Sequence, residues 1–128
     1  MNFLIGEHIN KVLSGSSEVK NIFGNRTFAG FADNTTMPYL VYRRTGGEVI
    51  ITKDGIIGDN VFVEIAIYAE DYSTSVHGAD AISKALVNKR GSYDTFDVVQ
   101  CTLTPFGEDL SSDDMAQILN FSFKTKNK

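Results

Sequence analysis

The chain has 128 residues, 42% of them hydrophobic and 22% charged, with a net charge of -4 and a pI near 5.0. That length and balance fit one soluble globular domain, which buries about two thirds of the surface of its unfolded chain. They argue against a sequence-independent nucleic-acid binder, because the twelve Lys and Arg are scattered rather than gathered in a basic run.

In chain order, Ile5, Ile9, Val12 and Leu13 recur at helical spacing, with Glu7, Asn10 and Lys11 on the other side. Ser14-Gly15-Ser16-Ser17 stops that helix. Val19, Ile22 and Phe23 supply one helical turn before Gly24-Asn25, and Thr27-Phe28-Ala29 reads as extended. Phe28 and Phe31 are expected to pin an irregular connection onto the core. Asp33-Asn34-Thr35-Thr36 has turn composition.

Pro38 opens a first strand, Tyr39-Leu40-Val41-Tyr42-Arg43-Arg44, at a position where a missing N–H is tolerated. Gly46-Gly47 ends it. Val49, Ile50, Ile51, Ile56 and Ile57 then lie between turn dipeptides, which predicts a flexible β-arm or hairpin at 46–60. Such an arm is folded back on the domain or waits for a neighbour.

Residues 61–69 form the pivot of the chain. Val61, Val63, Ile65, Ile67 and Ala69 project to one face; Phe62, Ala66 and Tyr68 project to the other, interrupted by Glu64. Two largely apolar faces predict a central strand buried on both sides. Asp71-Tyr72-Ser73-Thr74-Ser75 then carries helix-start chemistry. Val76, Ala79, Ile82, Ala85 and Leu86 mark a second helix, closed by Asn88-Lys89-Arg90-Gly91. A third strand spans 96–103, with Val99, Cys101 and Leu103 on one face, and Thr104-Pro105-Phe106-Gly107 breaks it. After an acidic connection at 108–114, Leu119, Phe121 and Phe123 alternate with Asn120 and Ser122 in a last strand.

The order helix, strand, strand, helix, strand, strand predicts a single α+β domain over 1–128. Its sheet is expected to be mostly antiparallel and four-stranded, with two helices packed on one face. The second and third strands flank a helix, which fits a right-handed crossover if they are parallel neighbours.

No catalytic constellation accompanies this fold. His8 and His77 sit on different helices without ligands at metal-binding spacing, and read as surface histidines. Cys101 reads as a small buried hydrophobe; being alone, it can form no internal disulfide. Glu108, Asp109, Asp113 and Asp114 flank Ser111-Ser112 without a calcium-loop pattern, and read as a solvated loop. The glycines match no phosphate-binding spacing. Arg43-Arg44 and the lysines at 124, 126 and 128 read as protection of strand edges; the sharper reading is a phosphate or carboxylate contact for the arginines and a charged intersubunit contact for the lysines. No catalytic residue, metal or cofactor is expected, and the chain is not expected to be an enzyme. Residues 1–7 lack the features of a signal peptide or membrane span, so folding in a reducing cytoplasm is expected.

Three stretches together resemble the tail completion proteins of long-tailed bacteriophages, a family that includes tail terminators. One is the N-terminal helix with Ile9, Val12 and Leu13, leading through Val19 and Phe23 to Gly24-Asn25-Arg26. Another is Met37-Pro38-Tyr39-Leu40-Val41-Tyr42. The last is the strand at 61–69 running through Asp71-Tyr72 into the helix that ends with Ala85-Leu86. The resemblance covers residues 3–90 and continues beyond them only in kind.

It implies a structural virion subunit, phage or prophage, made in the bacterial cytoplasm. The subunit would form a homo-oligomeric ring, commonly a hexamer, on the end of the tail tube. There it would stop tube polymerisation and meet the head connector, with tail-tube and connector proteins as partners, no specific nucleic-acid binding and no membrane. The end of the first strand and the arm supply the candidate contact residues: Arg43 and Arg44 from the strand, and Val49, Ile50, Ile51, Lys53, Ile56 and Ile57 from the arm. The alternatives are a small ligand-binding or enzymatic α+β subunit with an interfacial pocket, or another head–tail joining protein.

Overall fold

A computed structural model describes residues 2–110 and 115–128. Helices α1 (Ile5–Ser14) and α2 (Ser17–Phe23) come first, then strands β1 (Thr27–Ala29), β2 (Tyr39–Thr52) and β3 (Gly55–Ala69). Helix α3 (Tyr72–Leu86) follows, then β4 (Gly91–Ser92), β5 (Phe96–Leu110) and β6 (Met115–Asn127).

The sheet has six strands in the order β1-β2-β3-β6-β5-β4; β1 pairs parallel to β2 and every other pairing is antiparallel. This mixed sheet with three helices corrects the expected four-stranded, two-helix design. Short segments account for the difference. Ser16 accepts a hydrogen bond from the Val19 N–H and caps a full α2, where the apolar spacing suggested only one turn. The Leu40 N–H donates to the Arg26 carbonyl, fastening β1 onto β2.

The crossover expectation is corrected too. β3 and β5 are both antiparallel to β6, so they run parallel to each other, but β6 is inserted between them. β5 also outlasts its expected break. Its register shifts between Thr104 and Gly107 and pairing resumes to Leu110, so Pro105-Phe106 is absorbed as an irregularity. Glu108 and Asp109 are therefore strand residues, while Ser111, Ser112, Asp113 and Asp114 lie outside the described residues.

All three helices pack on the sheet face that carries Val61, Val63, Ile65 and Ile67, joining Ile9, Leu13, Phe23, Leu86, Phe121 and Phe123 in one core. Helix α3 buries Ile82 and Leu86 of its expected apolar stripe, with Ala79 and Ala85 packed beside them, but it is rotated away from Val76 and toward Ser75 and Gly78. Ser75, Gly78, Ala81, Ile82 and Leu86 are buried, and Val76 is exposed. Gly78 explains the rotation: a Cβ there would lie 2.8 Å from Phe23 Cζ and 3.3 Å from an Ile67 methyl, so only glycine admits so close a seat. Ser75 is satisfied by the Tyr72 carbonyl and Gln117.

The pivot strand is central in the sheet but is not buried on both faces. On the second face Ala66 is buried, but Phe62, Glu64 and Tyr68 are only half-buried, the helices of the core lying against the other face. Phe31 departs further from its expected role, being 77% exposed while Phe28 packs edge-on to Tyr39. His8, expected at the surface, is completely buried. It lies against the Phe123 ring and shares a 2.6 Å hydrogen bond with the Tyr93 hydroxyl. Burial, with Lys11 and Lys89 nearby, pushes its pKa down to about 4. Cys101 is buried as expected, and burial raises its thiol to about 12. β6, which carries Lys124 and Lys126, is an interior strand, so those lysines guard no sheet edge.

Candidate functional site

The hairpin joining β2 to β3 is a two-residue turn, Lys53-Asp54, followed by Gly55 at φ 109°. Positive φ favours glycine, and the Thr52 hydroxyl accepts from the Asp54 N–H, so the chain reverses locally with little strain. Thr45 and Ile57 are left out of register as the ladder shifts. On its other side β3 meets β6 only from Gly58 onward, so residues 51–57 project past the neighbouring strand.

That projection is apolar and uncovered. Ile51 is 67% exposed, Ile56 56%, and Val49 and Ile57 42% each, while Ile50 is half-buried. Lys53 is exposed in the turn. Six of the eight residues singled out from sequence are thus brought together at one hairpin end. Arg43 and Arg44 are not part of it. They stand farther down β2 on opposite faces, Arg43 at 3.5 Å from Glu64 and Arg44 with its guanidinium 4.4 Å from the Phe3 ring centre. Within 46–60, Gly58 and Asp59 are buried and paired to β6, so the exposed portion is shorter than the sequence suggests.

Two surfaces were not anticipated. Below the hairpin, the helix-free sheet face carries a shallow depression of about 380 Å³, lined by Phe31, Tyr39, Val41, Arg43, Glu64 and Tyr68. Tyr39 and Tyr68 stack there with ring centres 5.0 Å apart. Directly opposed residues on antiparallel strands share a face, which makes this aromatic pair readable only once the register is known. On the helix side, Lys11, Lys84, Lys89 and Arg90 surround a second depression of about 430 Å³. Lys11 comes from α1, whereas Lys84, Lys89 and Arg90 come from the last turn of α3 and the segment that closes it, so the cluster exists only once the two helices pack.

Neither depression holds a recognisable reaction centre. The buried His8 lies against the Phe123 and Tyr93 rings, and no group of three His, Cys, Asp or Glu that could hold a metal ion is found among the described residues. No helix of the described chain is long and apolar enough to cross a membrane.

Comparison with known proteins points in one direction. A family model described as tail completion protein gp17 matches residues 7–123. Among solved structures, a chain from the virion of a native gene transfer agent particle superposes with a TM-score of 0.77 at 15% identity. That alignment covers 92% of this chain and 91% of the other. At such low identity the likeness is one of fold. No curated protein matches the sequence.

Proposed function

The chain belongs to the tail completion protein gp17 family, and from that premise we propose that it forms a ring, six-fold in our reading, on the end of the tail tube. Its place is in the tail of a phage or phage-like virion. In this reading the ring stops tube polymerisation and presents a surface to the head connector, and the chain acts by assembly rather than catalysis.

The exposed hairpin end carries the proposal. Ile51, Ile56, Ile57 and Val49 form an apolar projection at the end of the β2–β3 ladder. Covering half-exposed side chains of this size stabilises by about 1 kcal/mol each. Apolar groups gathered at one projection mark a contact surface more than a solvated loop. A closed ring requires two different complementary surfaces on each subunit, and a projecting hairpin supplies one of them. The acidic balance suits a channel through which DNA passes without being held, since binding requires clustered cations along the phosphates.

Electron microscopy of tails made with the Ile51→Ser/Ile56→Ser variant tests the reading. The expected result is tails of irregular length, or tails unattached to heads. Uniform, head-attached tails would remove the hairpin from the assembly surface.

A further inference from the structure

The cationic depression holds four of the twelve Lys and Arg of an acidic chain, and among the described residues no carboxylate lines it. Lys84 is engaged by Asp80 at 2.9 Å, and Lys11 lies 5.4 Å above the Tyr93 ring. Lys89 and Arg90 are exposed and form no ion pair with a described residue. Cations in the last turn of a helix complement its dipole, which accounts for Lys11 and Lys84. Lys89 and Arg90, which the sequence places in the closure of this helix, fall beyond its last turn because α3 ends at Leu86, so the dipole accounts for them less well. The wall is firm rather than floppy, because Tyr93 is fixed by the buried His8 and stacks on Phe96.

At the other end of α3, roughly 22 Å away at 1.5 Å per residue, Glu70 and Asp71 immediately precede the helix and Glu108 and Asp109 lie on the end of β5 that Tyr72 meets, an acidic corner. The Tyr72 hydroxyl donates to Glu108 Oε1 at 3.0 Å and ties the end of β5 to the start of α3. Asp71 caps the helix by accepting from the Thr74 N–H. All four carboxylates are exposed, and none is ion-paired to a described cation.

We propose that the depression between the C-terminal ends of α1 and α3 receives the acidic corner of a second copy of this chain, making a head-to-tail contact. This rests on the ring reading above and adds to it the charged part of the subunit interface. Two unlike, complementary patches at opposite ends of one helix suit a heterologous contact that repeats from copy to copy around a ring; a two-fold dimer would pair the same patches reciprocally and stop at two copies, which the mass in the test below separates. Charge complementarity of this kind steers encounter and fixes register. A nucleic acid is a poorer occupant: the cations form a spot rather than a track, on a chain of net charge -4.

The test compares wild type, Lys89→Glu/Arg90→Glu, Glu108→Lys/Asp109→Lys and an equimolar mixture of the two variants. Mass is followed by sedimentation at low ionic strength, with thermal melting to confirm folding. Each variant alone should need a concentration at least about tenfold higher than wild type to assemble. The mixture should recover much of the lost assembly, because in alternating copies the two introduced glutamates meet the two introduced lysines and the unaltered groove meets the unaltered corner. Variants that assemble as wild type does, or a mixture of folded variants that fails to recover, would overturn this contact and leave the ring standing. A wild-type chain that stays monomeric throughout would overturn both. Binding of labelled duplex DNA by wild type, lost on Lys89→Glu/Arg90→Glu, would assign the groove to phosphate instead.

Discussion

The two ends of β3 are built from the same kinds of residue and meet opposite fates. At 61–69, Val61, Val63, Ile65 and Ile67 are buried beneath the helices; at 55–57, Ile56 and Ile57 face solvent beside Ile51. One ladder runs through both ends without interruption of the chain. What differs is the company. The first set is flanked by β2 and β6 and roofed by helices, while the second projects beyond β6 and has no roof. β-Branched residues in a strand report that a surface is meant to be covered; whether the cover comes from the same chain or another is decided by tertiary context.

The largest expected effect lies in the buried end. Ile65→Asp places a charge between Tyr42 and Leu119 under the helices, and should cost roughly 4 kcal/mol or more, read as loss of the melting transition. A variant melting like wild type would erase the contrast between the two ends. Next comes the boundary. At Gly58, where β3 joins β6, a Cβ would overlap the Thr125 carbonyl oxygen, so Gly58→Ala should cost about 2–3 kcal/mol by urea denaturation.

A smaller effect sharpens the picture of the roof. The pKa of His8 is lowered to about 4 in the folded chain from an ordinary value of 6.5. The unfolded chain therefore takes up the proton first. Stability should be complete above about pH 6.5, decline as pH falls, and level off below about pH 4, by roughly 1–3 kcal/mol in all. His8→Leu should flatten that part of the profile; an unchanged slope would show that His8 is not its source. The smallest effect belongs to the exposed end, where Ile51→Ser/Ile56→Ser should alter the stability of the monomer by no more than about 0.5 kcal/mol.

Much of the core was legible because periodicity reports burial directly. The stripe of Ile5, Ile9 and Leu13 and the alternation of Leu119, Phe121 and Phe123 both point inward as read. The three-residue β1 and two-residue β4 carry too few side chains to show a period, and α2 was shortened for the same reason. His8 was misplaced because its polarity outweighed its position one residue from Ile9; helix packing, not sequence, surrounds it with Phe123 and Tyr93. The hairpin residues were found because they are contiguous in the chain. The cationic groove was missed because residues 11, 84, 89 and 90 meet only after α1 and α3 pack.

Amide hydrogen exchange, read residue by residue on the free subunit and on assembled tails, tests the central claim most directly. Residues 61–69 should be protected in both states, and residues 51–57 should exchange quickly in the free subunit and slow markedly on assembly. Equal protection of 51–57 in the two states would contradict the account, because the hairpin end would then have no partner to cover it.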